Sequence, residues 1–423
     1  MKTGHVSNLS RWKMLGFIDY LLPAYIVLSI PLFYLGLHLA FVFKAIGILV
    51  SLLYIMKYGV PQTQNTRIFT IFVLLVTFSF FQYLYNGKPI SGYVTDISNY
   101  VAAMLFFYIG ASDERPGRLF YKKLLYSTAI VFALGLICYV LTPTWYVMRH
   151  LDMINNSSMV EYDEYNVVDK LRFSAFFDSY SVSHLSVFAS AIAIFSVIYC
   201  KGREKMVAFI CLIVALLSSV ASMHRASMIG SLFAFAMYAY YNHRSKRVKY
   251  NIYLGLIVLL FAGIFLYFFS NIGDRADTIH EMFTSRVDDN MSLGKALEER
   301  KFTKELMASM QFYIFGHGLG SGGVEMRAYG FPGVSDMQYI KMFYENGIVG
   351  AVLFLWIIYR SLLKGIKYIK IYITEVIIIL FILVAMLGSN SLSIYYFIVF
   401  PFWYAVGRIN NYQYFKQAIN KQL

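Results

Sequence analysis

Charge is scarce in this chain. Of its 423 residues, 14% are Asp, Glu, Lys or Arg, against 59% hydrophobic and 18% aromatic. A soluble domain carries roughly a quarter charged residues, so this composition cannot cover a water-facing surface, and soluble globular classes are excluded. Cysteine is nearly missing: Cys138, Cys200 and Cys211 all fall in or at the ends of apolar segments. They read as small hydrophobes and exclude a disulfide scaffold. There is no glycine-rich cradle ending in GK[ST], no HExxH, no GxSxG elbow and no CxxC pair. These absences argue against ATP-driven pumps, zinc proteases and serine hydrolases. Within the apolar runs the Asp, Glu, Lys and Arg residues are only Asp19, Lys44, Lys341, Glu345 and Glu375, too sparse for the buried relay of an ion-coupled transporter. No internal repeat, low-complexity tract or Pro-, Gly- or Ser-rich linker divides the chain, so a single membrane domain over 1–423 is expected.

What is present is apolar length. Runs able to cross roughly 30 Å of hydrocarbon lie at 17–37, 39–56, 68–85, 97–111, 124–142, 184–200, 206–221, 228–241, 252–270, 337–359, 372–388 and 391–406. They lack strict alternation, which predicts helices rather than barrel strands. The expected fold class is therefore an all-α polytopic integral membrane protein with about 12 transmembrane helices, 11 to 13 once the short runs are allowed for. The first run contains Pro23 and Pro31 and has no small-residue cleavage site after it, so it reads as a retained helix.

The charges set the orientation. Seven segments, beginning with 1–16 and ending with 407–423, hold 23 basic residues against three acidic ones. By the positive-inside bias they and both termini face the cytoplasm. The opposite side has a net charge of −5 and includes two long loops, 143–183 and 271–336. The chain's net charge of +14 is thus a matter of topology and requires no nucleic acid. Long structured loops tend to carry function, which places the expected site on the external face.

Two arginines are expected at headgroup depth there: Arg172 in KLRFSAFFDSYSVSH and Arg225 in SMHRASM. A guanidinium fork at that depth suits a lipid pyrophosphate; it is equally a helix-end anchor. In the second long loop, ERKFTKELMASMQFYI forms an amphipathic helix carrying Arg300, followed by FGHGLGSGG. The glycine-rich turn offers backbone N–H groups to an anion, and His317 is a donor or base, or simply solvated. SDMQYIKMFYENGIVG then enters the tenth run. Asp336 reads either as an N-cap or as a reactive carboxylate. Tyr339, Phe343, Gly347 and Gly350 read as packing positions, the glycines for close helix contact. Glu345 requires a partner, and Lys341 at i−4 is the candidate.

These segments resemble the bacterial O-antigen polymerase and ligase superfamily, specifically the Wzy-type polymerases. The resemblance covers about 170–360: RFSAFFDSYSVSH before a run, SMHRAS after one, Arg300 sixteen residues before Gly316, and a stretch like the family's HN-x-Y-L…E-x-G-x-x-G. Where the ligases carry a histidine this chain has Asp336, which is more like the polymerases. The resemblance implies a fold similar to C-type membrane glycosyltransferases, in the bacterial inner membrane with a periplasmic active face. It also implies transfer of a growing glycan from undecaprenyl pyrophosphate to a new lipid-linked repeat unit, without metal or cofactor. Arg172, Arg225 and Arg300 would hold the pyrophosphate, Asp336 and His317 would act on the acceptor hydroxyl, and His224, Arg286, Tyr339 and Glu345 would support them. The implied partners are undecaprenyl-pyrophosphate-linked oligosaccharides, with a chain-length regulator and a flippase in the same membrane. An O-antigen ligase and a lipid-linked oligosaccharide flippase are the alternatives.

Overall fold

The computed structural model describes residues 3–141 apart from 37–39, 62, 86–89, 91–92, 95–96 and 116–117, then 143–150 apart from 147. It further describes 173, 175–177, 185–187, 189–190, 192–193, 202–222, 230, 314–322, 338–386, 392 and 396–420. Among the described residues every regular element is helical. In chain order these are α1 (Thr3–Leu35), α2 (Ala40–Tyr58), α3 (Gln64–Phe78), α4 (Phe80–Tyr85), a wide π-type turn (Ile97–Val101) leading into α5 (Ala102–Ser112), and α6 (Arg118–Leu141). They continue with α7 (Arg203–Ala221), α8 (Gln338–Lys367), α9 (Ile369–Ala385), α10 (Tyr396–Asn410) and α11 (Tyr412–Asn420). Helices thus cover the first five, the seventh and the last three of the apolar runs; most of the other three lies outside the described residues.

Among the described residues four stretches are long and apolar enough to cross a membrane: Arg11–Leu35, Gln64–Tyr85, Phe120–Leu141 and Gln338–Lys367. Apolar side chains cover both faces of these helices. On α8, Phe354, Ile357 and Ile358 are buried while Val352, Leu355, Trp356 and Tyr359 are exposed. A helix apolar on every side belongs in lipid, as expected of a helical membrane protein.

The chain divides into two compact units, one of Met1–Leu22, Ala40–Phe120 and Arg300–Leu423, the other of Pro23–Leu39 and Tyr121–Glu299. In the first unit α5 and α10 cross backbone to backbone. A Cβ on Gly110 would fall 2.2 Å from the Tyr404 carbonyl oxygen, and one on Gly407 would fall 2.1 Å from that of Phe107. Only glycine permits that approach. Aromatic rings fill the space around the crossing: Phe106 lies 3.9 Å from Phe400, Phe69 lies 3.8 Å from Phe107, and Trp403 is fully buried. In the second unit the end of α1 packs on 145–150 and 175–176, through Phe33 against Trp145, Tyr146, His150 and Phe176.

Candidate functional site

Within the first unit, α8 is interrupted at Gly347, whose φ of 66° and ψ of −169° are not helical. The interruption, nine residues after the helix start at Gln338, frees backbone groups inside an apolar helix. Unsatisfied backbone groups are costly in apolar surroundings. The glycine turn 314–322 satisfies them. His317 N–H donates to the Tyr344 carbonyl at 2.9 Å, Gly318 N–H donates to the Glu345 carbonyl at 2.9 Å, and Val349 N–H donates to the Ile314 carbonyl at 3.2 Å. In an unbroken helix those two carbonyls would accept from residues 348 and 349; here the turn supplies new donors to both carbonyls and an acceptor to the Val349 N–H. Steric fit demands glycine on both sides: a Cβ on Gly347 would lie 2.4 Å from Gly316 N, and one on Gly316 would lie 2.5 Å from the Glu345 carbonyl oxygen.

Side chains hold the second half of the turn. Gly322 N–H donates to Glu345 Oε1 at 3.0 Å, and Leu319 N–H donates to Ser79 Oγ at 2.9 Å. Ser79 sits at the break between α3 and α4, where its own hydroxyl donates to the Val76 carbonyl at 2.6 Å. Lys341 Nζ lies 3.7 Å from Glu345 Oε1, and both side chains are 3% exposed. The π-type turn reaches the same helix: Tyr100 is buried with its hydroxyl 3.9 Å from Met342 Sδ on α8. Next to it Asn99 accepts a hydrogen bond from Lys44, which lies inside the second apolar run.

Set against the sequence reading, the i, i+4 pairing of Lys341 with Glu345 is found. Two readings are corrected. The glycine turn does not present a row of N–H groups to an anion, because those of His317, Gly318, Leu319, Ser321 and Gly322 already bond to Tyr344, Glu345, Ser79, Gly318 and Glu345. Gly347 serves a helix break rather than a close helix crossing. His317 is half-buried, with its ring stacked 4.3 Å from that of Tyr344. The Tyr339 hydroxyl donates to the Leu383 carbonyl of α9 at 2.8 Å, which is a packing role. Asp336, Arg172, Arg225, Arg300, His224 and Arg286, with the amphipathic helix before Ile314, lie outside the described residues. Sequence reasoning missed Ser79 and Asn99. A lone serine or asparagine in or beside an apolar run carries no signal of its own.

A second polar centre lies in the same unit, where the end of α5 meets α10. Arg115 grips two carboxylates: it donates to Asp19 at 2.9 and 3.0 Å, and to Asp113 at 2.9 and 3.0 Å. Asp113 also accepts from the Tyr404 hydroxyl at 2.9 Å. Arg408, fully buried, donates to the main-chain carbonyls of Asp113 and Arg115 and stacks 3.7 Å from the ring centre of Tyr414 on α11. Burial alone would raise the Asp113 carboxyl. Hydrogen bonds from Arg115 and the nearby charge of Arg408 outweigh it and hold the group below the usual carboxylate range. The sequence reading took Arg115 and Arg408 as topology signals only; the structure adds that they join helix ends.

In the second unit, Phe173 N–H donates to the Ala221 carbonyl at the end of α7, at 3.1 Å. His150 lies against Phe33 and Tyr146 and bonds through Nε2 to the carbonyl of Ala175, a non-glycine residue with φ of 48°. Burial pushes the imidazole down to about 4, against the bond to Ala175. Among the described residues, no three His, Cys, Asp or Glu side chains gather closely enough to hold a metal ion. No protein-family model and no curated protein matches the sequence.

Proposed function

We propose that this protein is a Wzy-type polymerase of the bacterial inner membrane, with twelve spans, cytoplasmic termini and a periplasmic site. It transfers a growing glycan from undecaprenyl pyrophosphate to a hydroxyl of a new lipid-linked repeat unit. The observation that carries the reading is the docking of FGHGLGSGG into the break of the helix carrying E-N-G-I-V-G. Both stretches are among those that carry the resemblance, and their joining is what a shared site requires. Irregular backbone held by its own protein is the form that substrate sites take inside membranes.

The chemistry asks little beyond placement. Pyrophosphate is already a good leaving group, so the site has to hold the anion, neutralise its growing charge and orient the acceptor. Direct attack at the anomeric carbon inverts its configuration. Arg172 and Arg225 fit the anion. The first precedes Phe173, the second follows Ala221 by four residues, and the Phe173 to Ala221 hydrogen bond joins the two segments. Arg300 is the third cation, and Asp336 or His317 takes the acceptor proton.

The test is the lipopolysaccharide ladder of a strain lacking this protein. A single repeat unit on the core supports the polymerase; no repeat at all turns the reading to a ligase or a flippase. Complementation with Arg225→Ala is expected to leave protein abundance unchanged and the ladder at one unit. Arg225→Lys is expected to rescue little, because an ammonium makes no two-pronged contact.

A further inference from the structure

We propose that the end of α8 is a binding site for an anionic phospholipid: Arg360, Lys364 and Lys367 take the headgroup phosphate, and the apolar stripe leading up to them takes the acyl chains. Two stretches long enough to cross a membrane meet here. Arg360, near the end of Gln338–Lys367, donates at 3.4 Å to Gln64 Oε1 at the start of Gln64–Tyr85, so these ends share one membrane surface. Asn410, at the end of α10, donates to Ser361 and accepts from Asn65. The stretches 64–71, 360–371 and 407–416 contain no Asp or Glu. Arg360, Lys364 and Lys367 lie against the rings of Trp356, Phe415 and Tyr368, and among the described residues none of the three pairs with a carboxylate. Positions 360, 364 and 367 share one face of the helix, being four and three residues apart. Val352, Trp356, Tyr359, Leu363 and Ile366 follow the same alternation of four and three and form an exposed stripe on the adjoining face. The Arg360 guanidinium, 5.8 Å from the Trp356 ring centre, sits at the seam between the two faces. Cations at a span end by themselves only snorkel to the surface. An apolar stripe about 20 Å long, at 1.5 Å per residue, that ends in three cations without carboxylates matches a molecule with long apolar chains and a head of net negative charge. A soluble anion would leave the stripe uncovered, and the ammonium of a zwitterionic head would be repelled. The site stands apart from the polymerase reading and does not depend on it.

The test is thermal unfolding of the full chain in dodecyl maltoside with added lipid, because a ligand that binds the folded state raises the melting temperature with its concentration. Dioleoyl phosphatidylglycerol is expected to raise it saturably. Dioleoyl phosphatidylcholine, inorganic phosphate and a decaglutamate peptide at the same concentration are expected to raise it far less. Arg360→Gln with Lys367→Gln leaves Lys364 against Phe415 and is expected to raise the half-saturating phosphatidylglycerol concentration at least about tenfold, each basic residue beside a charged lipid head being worth roughly fivefold. Lys367→Gln alone, at an exposed position, is expected to give about half of that change on a logarithmic scale. Lys13→Gln with Arg203→Gln removes two exposed charges from α1 and α7 and is expected to leave the concentration unchanged. Each shift is read against the same variant's own lipid-free melting temperature, so a loss of stability in a variant does not mimic a loss of binding. No shift with phosphatidylglycerol, or an equal shift with phosphatidylcholine, overturns recognition of an anionic head. An equal shift with inorganic phosphate or with the peptide overturns the lipid and turns the face to a soluble anion or an acidic protein segment. An equal loss in the two double variants overturns the placement at α8.

Discussion

The two polar centres of the first unit meet the same problem, buried polar groups, with different means. At the Arg115 centre, four formal charges from distant parts of the chain (Asp19, Asp113, Arg115 and Arg408) are paired with one another and with main-chain carbonyls. At the Gly347 centre most of the exchange is between main-chain groups, and one ion pair, Lys341 with Glu345, stands beside it. Charge pairing tolerates no loss of a partner, because what remains is an uncompensated buried ion. Main-chain exchange tolerates side-chain loss but no change of backbone shape. The first arrangement suits a fixed joint between helix ends, the second a surface on which a loop is held in register.

The comparison breaks most visibly at Asp113. Asp113→Ala takes the carboxylate from beside the buried Arg408 and leaves Arg115 to Asp19, and is expected to cost about 3–5 kcal/mol, measured as loss of folded protein and of melting temperature in detergent. The same carboxylate carries a pH signature. Its folded-state pKa is lowered, so its contribution is complete above the unfolded value and is lost as pH falls through the folded one. Wild type is therefore expected to hold its stability through neutral pH and to lose it only below the usual carboxylate range, a loss that Asp113→Asn removes.

At the other centre the largest effect is expected from the backbone. Gly347→Ala puts a Cβ at a positive φ with ψ near 180°, a region essentially reserved for glycine, at about 1–3 kcal/mol, and adds a clash with Gly316 and Ile314. It is expected to lower the melting temperature and to expose the glycine turn to proteolysis. A milder probe is Ser79→Ala, which leaves the Leu319 N–H without its acceptor and is expected to cost about 1–3 kcal/mol. Gly16 supplies the contrast: it is helical and a Cβ there would meet nothing within 4 Å. Gly16→Ala is expected to stabilise by up to about 1 kcal/mol, so a loss there as large as at Gly347 would show that glycine replacement alone, and not the exchange of bonds, governs the effect.

Much of the helical layout is legible in the composition, and one piece of the site with it. Lys341 and Glu345 share a helix face by their spacing, and two opposite charges in an apolar run have little choice of partner. Gly347 and Gly350 read in the sequence as close-contact positions, but glycine in an apolar helix marks either a close crossing or a break. The close crossing occurs elsewhere, between Gly110 and Gly407, and the break occurs at Gly347. Nothing in FGHGLGSGG says that its N–H groups are taken, because their acceptors lie on α8 and at Ser79. Arg115 and Arg408 fit the positive-inside count so well that the count gave no reason to seek partners for them.

The sequence by itself determined the helices and their membrane character. A backbone in hydrocarbon has to satisfy its hydrogen bonds within its own segment, so each span is written locally as a run of apolar residues long enough to close its own ladder. Where that ladder is interrupted, at Ser79 and Gly347, only the tertiary structure decided what replaced the lost bonds. The acceptors that Tyr344 and Glu345 provide for His317 and Gly318 are brought into reach by closing a stretch of 28 residues from His317 to Tyr344. Asp113 and Arg408 meet only because two helices far apart in sequence cross at glycines. Such meetings depend on the whole packed unit, and no local pattern of residues records them.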